Sequence, residues 1–158
     1  MHSIEERIEG LESRIAIEDL LSGYCHGFDG PDRELLRSLW TDDAVFDLGP
    51  RFGGPVQGIE AIMAKAEDLW AAVPVMYHWM ANLIVNIDGD TARAKSALDC
   101  FVVSREDGPT QVTGVYTDRF ERRDGVWKFR HRAFDLQLWA PLNGWSAAAG
   151  SKAGQTKV

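Results

Sequence analysis

The chain changes its hydrophobic period once. Up to Pro74 the apolar residues recur every three or four positions, and beyond it they alternate. The first spacing suits one face of a helix and the second one face of a strand, so helices belong to the N-terminal half and long strands to the C-terminal half. Ser3 followed by Glu6 is a capping-box pair, and Ile4, Ile8, Leu11, Ile15, Leu20, Leu21, Tyr24 and Phe28 predict one long helix behind it. Gly30-Pro31 ends that helix near Gly27–Gly30. Asp32 caps a short second helix, Arg33 to Leu39. Ala44–Leu48 alternates as a short strand, residues 49–58 read as a Gly- and Pro-rich loop, and a third helix occupies Ile59 to Ala72.

After Pro74 the sequence predicts strands at Val75–Ile87, Thr91–Arg105, Thr110–Arg122 and Val126–Trp139. Asp88-Gly89-Asp90, Glu106-Asp107-Gly108-Pro109 and Asp124-Gly125 join them as hairpin turns. Helices followed by a strand meander define an α+β fold. The expected form is a cone-shaped, curved antiparallel sheet, with the N-terminal helices closing a pocket on its concave side. Residues 1–145 read as a single domain and residues 146–158 as a flexible, small-residue tail.

Composition narrows the function. Seventeen basic against 24 acidic residues give a net charge of −7, the wrong sign for a phosphate-backbone binder. No apolar run approaches the ~20 residues of a membrane span. The opening Met1-His2-Ser3 runs into acidic residues without a leader pattern, so a cytoplasmic location is expected. Cys25 and Cys100 are too few for a disulfide framework or a zinc site and read as buried thiols. No Gly-rich phosphate loop follows a strand, and no metal-ligand spacing occurs, so neither cofactor nor metal is expected. What remains is a small, acidic, cofactor-poor domain.

Strand phase then selects residues. His78 shares a face with Met76, Met80, Asn82 and Ile84; Asp99 with Ala97, Phe101 and Val103; Arg132 with Phe134, Leu136 and Leu138. Each is one ionisable group among apolar neighbours, which calls for a partner. Tyr24 and Asp29 lie at the C-terminal end of the first helix. Together they could abstract a proton with His78, orient it with Asp29, and assist a leaving group or oxyanion with Tyr24 and Arg132. The residues alone leave plainer readings open: a satisfied strand histidine, a turn-forming Asp29, a core Tyr24 and a solvated Arg132. Asp99, Trp40, Trp79, Phe101, Phe134 and Leu138 are the candidates for lining the substrate pocket. The outer sheet face, with Tyr77, Trp79, Trp127 and Phe129, reads as too apolar for water and therefore as an oligomer interface.

The run Val115-Tyr-Thr-Asp-Arg-Phe-Glu-Arg-Arg-Asp-Gly-Val-Trp-Lys-Phe129 resembles the strand-hairpin-strand of SnoaL-like proteins in the nuclear-transport-factor-2-like superfamily. Ile17–Tyr24, Asp29 and Leu39–Val45 carry the same likeness, which spans about Ile15 to Trp145. That group includes hexachlorocyclohexane dehydrochlorinases, scytalone dehydratases and bile acid 7α-dehydratases. The resemblance implies that Asp29 and His78 form a His-Asp dyad and that Arg132 is a pocket arginine. Tyr24 stands where the dehydrochlorinases have lysine, and Asp99 where they have an apolar residue; both look like the dehydratases. The implied activity is that of a cofactor-independent lyase of dehydratase or β-elimination type, acting on a small hydrophobic cyclic or aromatic substrate, in a homotrimer. A ketosteroid-type isomerase and a non-catalytic ligand-binding or assembly module are the alternatives.

Overall fold

A computed structural model of the chain describes residues 3–145; the expected tail at 146–158 lies outside them. The first helix, α1 (Ile4–Asp29), starts as its sequence requires: the Glu6 N–H donates to Ser3 Oγ at 3.1 Å and the Ser3 N–H to Glu6 Oε2 at 2.8 Å. Its apolar residues do not form the single stripe expected of them. Ile17, Leu20, Leu21, Tyr24 and Phe28 are buried, whereas Ile4, Ile8, Leu11 and Ile15 are exposed. The two-residue step from Ile15 to Ile17 turns ~200°, so the two rows fall on opposite sides of the helix.

Helix α2 (Arg33–Ser38) is capped by Asp32, whose Oδ1 accepts the Leu35 N–H at 2.9 Å. Strand β1 (Trp40–Asp47) starts four residues ahead of the expected position. A short β2 (Pro55–Gln57) emerges from the expected loop, and α3 (Ile59–Ala72) follows. The four long strands are β3 (Val75–Asp88), β4 (Thr91–Ser104), β5 (Gly108–Arg123) and β6 (Val126–Pro141). Asp124 and Gly125 both take positive φ, 51° and 79°, as a two-residue hairpin turn demands.

The sheet runs in the order β2-β1-β6-β5-β4-β3. It is mixed, which corrects the antiparallel expectation: β1 lies parallel to β6, with Phe46 opposite Arg132. Residues 48–125 separate the two strands, so no hairpin geometry constrains their relative direction. Among the described residues no helix is long and apolar enough to cross a membrane.

Three irregularities bend the long strands and decide which side chains face inward. Asn82, at φ 54°, and Leu83 break the β3–β4 register between Ala81 and Ile84. Arg130 is the extra residue between Phe129 and His131, and Gln137 the one between Leu136 and Leu138. Each odd residue moves the interior phase by one. Asn82 and Ile84 therefore leave the His78 face, which continues through Leu83, Val85 and Ile87. Trp127 and Phe129 are buried, at 4% and 0% exposure, instead of lying on the outer face. Leu138 turns outward, and Trp139 takes its place inside.

Candidate active site

Asp29 is the last residue of α1, the end at which a carboxylate opposes the helix dipole. Its partners explain the placement. Oδ2 accepts the backbone N–H of His78 at 3.0 Å, and Oδ1 meets His78 Nδ1 at 2.5 Å. One carboxylate thus clamps both the main chain and the ring of the same residue. The Trp70 Nε1–H donates to the Phe28 carbonyl at 3.0 Å and tethers the helix end to α3. The side chains are 8% (His78) and 19% (Asp29) exposed, so water competes little for these bonds. With Nδ1 committed as a donor to the carboxylate, Nε2 of the neutral ring is left with its lone pair.

His78 lines a cavity of about 70 Å³ between the helices and the sheet. That is roughly five times the ~15 Å³ one water needs. Its walls are apolar, from Phe28, Leu69, Met76, Leu98, Val112 and Phe134 among others, and the phenols of Tyr24 and Tyr116 close one side. The two hydroxyls are 3.2 Å apart. Burial, with Tyr116 beside it, holds the Tyr24 phenol well above its ordinary range, and burial pushes Tyr116 up to about 12. Both remain protonated donors at any working pH.

Behind the phenols lies a buried cation. Arg132 is fully buried, its guanidinium 3.6 Å from the Tyr116 ring centroid and 4.1 Å from that of Tyr24. Nη1 donates to Asp118 Oδ2 at 3.0 Å and Nη2 approaches Met80 Sδ at 3.2 Å. Burial pushes the Asp118 carboxyl up to about 6 despite the adjacent guanidinium. Among the described residues Arg132 Nε and Asp118 Oδ1 find no hydrogen-bond partner. Arg132 thus reaches the cavity through the tyrosine rings, polarising their hydroxyls, rather than as a wall residue.

The structure therefore gathers His78, Asp29, Tyr24, Arg132 and Phe134 around one cavity. It does not bring the other proposed lining residues there. Trp40 is buried against Phe46 and Phe129, off the cavity wall. Asp99, Trp79, Phe101 and Leu138 stand on the outer face; Asp99 accepts from Gln111 Nε2 at 3.1 Å, in the open. Asp99 and Phe101 do share a face, as strand phase requires, but it is the outer one. Tyr116, Asp118 and Trp139 are additions. Tyr116 and Asp118 had a legible signal, since they alternate with Val112 and Phe120 on β5 and a carboxylate in that series needs a buried cation. Cys100 lines the cavity too, its thiol raised by burial, and Cys25 is held at about 11 by burial, so neither is a ready nucleophile. Among the described residues no cluster of three or more potential metal ligands occurs.

An open curved sheet under N-terminal helices is the architecture of the SnoaL-like class. Residues 9–133 match the SnoaL-like domain, and the chain belongs to that family. It is 30% identical over 140 residues to hexachlorocyclohexane dehydrochlorinase 1 of Sphingobium indicum, covering 87% of this chain and 90% of that protein. A type 2 hexachlorocyclohexane dehydrochlorinase crystal structure matches with a TM-score of 0.85 at 30% identity, over 92% of this chain and 99% of the other. A Novosphingobium aromaticivorans protein assigned as a scytalone dehydratase shares the fold, with a TM-score of 0.78 at 20% identity over 93% of this chain and 99% of that one. The family resemblance read from the residues holds.

Proposed function

We propose that this protein is a cofactor-independent lyase that eliminates HX, with X bound through oxygen or a halogen, from a small, apolar cyclic molecule. The observation that carries the reading is the His78 ring, clamped by Asp29 and set in the wall of an apolar cavity. His78 Nε2 takes a proton from carbon, the C–H electron pair becomes the new C=C bond, and X departs with the C–X pair. Asp29 keeps the ring in the required tautomer and stabilises the imidazolium that forms. Tyr24 donates to the departing group, with Tyr116 at its side. Arg132, stacked on both rings, draws density from them and is a positioning residue.

A phenol suits a departing oxygen, which must leave as water or remain hydrogen-bonded, and among the described residues the cavity is faced by two phenols and no ammonium. We therefore place water loss ahead of halide loss. Asp99, on the outer face, offers no support for an isomerase in which it shuttles a proton. The exposed rings of Tyr77, Trp79 and Trp145, with the half-buried Phe101 between the last two, form a chain of contacts 5.7–6.1 Å apart across the outer face, and we expect copies of the chain to cover it in a homotrimer. Sedimentation at micromolar concentration should give three times the chain mass; a monomer would refute this.

The test of the activity is direct. The purified protein is incubated with cyclic β-hydroxy ketones and with polychlorinated cyclohexanes, and alkene formation is followed beside chloride or water release. Turnover that disappears in His78→Ala supports the lyase; no turnover of either class, with substrate-sized ligands still bound, assigns a binding role instead.

A further inference from the structure

The first four turns of α1 carry an apolar row that the protein's own described residues do not cover. Ile4, Ile8, Leu11 and Ile15 are 67%, 50%, 62% and 58% exposed, while Ile17, ~200° around the helix from Ile15, is wholly buried. The helix is thus apolar on two opposite sides: one packs on the sheet, and the other faces outward. A solvent-facing side filled by charged residues would be the ordinary outcome.

The spacing of the outward row is four, three, four, the alternation of a coiled-coil seam, with Ile4 and Leu11 at d and Ile8 and Ile15 at a. The flanking positions carry the second observation. Every flanking e position is acidic (Glu5, Glu12, Asp19), and both g positions beside the seam are arginines (Arg7, Arg14). In a parallel pair each g residue meets the e residue five positions on in its partner, so Arg7 meets Glu12 and Arg14 meets Asp19 of the second copy. In an antiparallel pair g would meet g and e would meet e, placing arginine on arginine and acid on acid. The charges therefore choose both the occupant and its direction.

We propose that the N-terminal half of α1 is an assembly surface that pairs, parallel and in register, with α1 of a second copy of this chain. Residues 146–158 are an unsuitable alternative cover: their apolar members are four alanines and one valine, which supply no row of large side chains. The seam spans two heptads, which is marginal for an isolated helix pair. It adds to a larger interface by raising the local concentration of one helix at the other. Parallel packing in register equally suits three helices around a three-fold axis, where each g residue faces the e residue of the neighbouring copy, so the seam is compatible with the expected trimer. This inference stands apart from the lyase reading and survives if no substrate is turned over.

Cross-linking of the full chain tests it. Ile8→Cys and, separately, Leu11→Cys place a thiol where like residues meet, whereas Gly10→Cys places it on another side of the helix, where an added Cβ meets nothing within 4 Å. The native thiols are buried and stay out of the reaction. Under mild oxidation at micromolar concentration, I8C and L11C should each form covalent dimers at least tenfold faster than G10C. Arg7→Glu with Arg14→Glu in the I8C background should abolish that rate. Mixing it with an I8C partner carrying Glu12→Arg and Asp19→Arg should restore it as a mixed dimer. Equal rates for all three cysteines overturn the seam, and cross-linking of I8C to L11C in preference to either alone overturns the parallel direction.

Discussion

Asp29→Asn isolates what the clamp contributes, because it keeps the side chain's shape and removes one acceptor. Asp29 accepts twice from His78, at the backbone N–H and at Nδ1. An asparagine has one oxygen and one NH₂ to offer. If the oxygen stays on Nδ1–H, the NH₂ meets the backbone N–H donor to donor, which costs roughly 1–3 kcal/mol. If the amide turns over, every group is satisfied, but the ring must carry its proton on Nε2 and cannot accept one there. The second arrangement therefore dominates about ten- to hundredfold. The charge-assisted bond to the imidazolium, about 1.5–3 kcal/mol, is lost as well, for another factor of roughly ten to a hundred. Together kcat should fall about 10²–10⁴-fold, with thermal unfolding shifted by only a few degrees. The assay pairs turnover with ¹⁵N NMR of the histidine rings, His78 being assigned against His78→Gln. The neutral ring of the wild type should be protonated at Nδ1 and that of the variant at Nε2. An Nε2-protonated ring in the wild type, or a variant within tenfold of wild-type kcat, would refute the reasoning.

The other variants read separate parts of the site. Tyr24→Phe deletes one hydroxyl from the cavity and should slow elimination of an oxygen leaving group ~10–10³-fold, whereas Asp99→Asn on the outer face should leave the rate alone; a rate loss in the latter would put Asp99 back in the site. Because burial raises the Asp118 carboxyl to about 6, above its unfolded value of ~3.9, the folded state holds that proton longer than the unfolded chain does. This group's contribution is thus most favourable below about pH 4 and declines, by up to ~3 kcal/mol, as pH rises to about 6. In denaturation curves at pH 4 and 7, wild-type stability minus that of Asp118→Asn should fall with pH, and a rise would mean that Arg132 dominates the carboxyl. A Cβ at Gly114 would lie 2.3 Å from the Asp135 carbonyl oxygen and 2.5 Å from the Phe134 ring. Gly114→Ala should therefore cost about 3 kcal/mol or more, since backbone blocks relief, and an unchanged melting temperature would contradict the packing.

Periodicity and turn chemistry made the helices and the long strands readable because they are local properties. Which face of a strand points inward is not local once a bulge intervenes. Asn82 advertised its bulge weakly, as a residue type that tolerates positive φ, but Arg130 and Gln137 carry no such mark. Those two residues reversed the expected positions of Trp127, Phe129 and Leu138. His78 and Arg132 were legible as lone ionisable groups in apolar strands. Asp118, their equal by that criterion, sat beside exposed charged neighbours, Arg119 and Glu121, that masked it. On α1, Ile17 falls outside the predicted row, two residues past Ile15, and was the visible sign of two faces.

The irregularity at Gln137 also bears on how relatives with this scaffold can diverge. A ladder that already accommodates one unpaired residue can lose it without losing its hydrogen bonds on either side. Deleting Gln137 would restore simple alternation after Leu136 with the same cross-strand partners, Leu138 opposite Thr113 and Trp139 opposite Val112, so the indole would stay on the cavity wall while the local bend of β6 relaxed. Length variation of a single codon at that point thus alters the curvature of β6, and with it the space beneath Trp139, while the histidine and its carboxylate stay on distant elements.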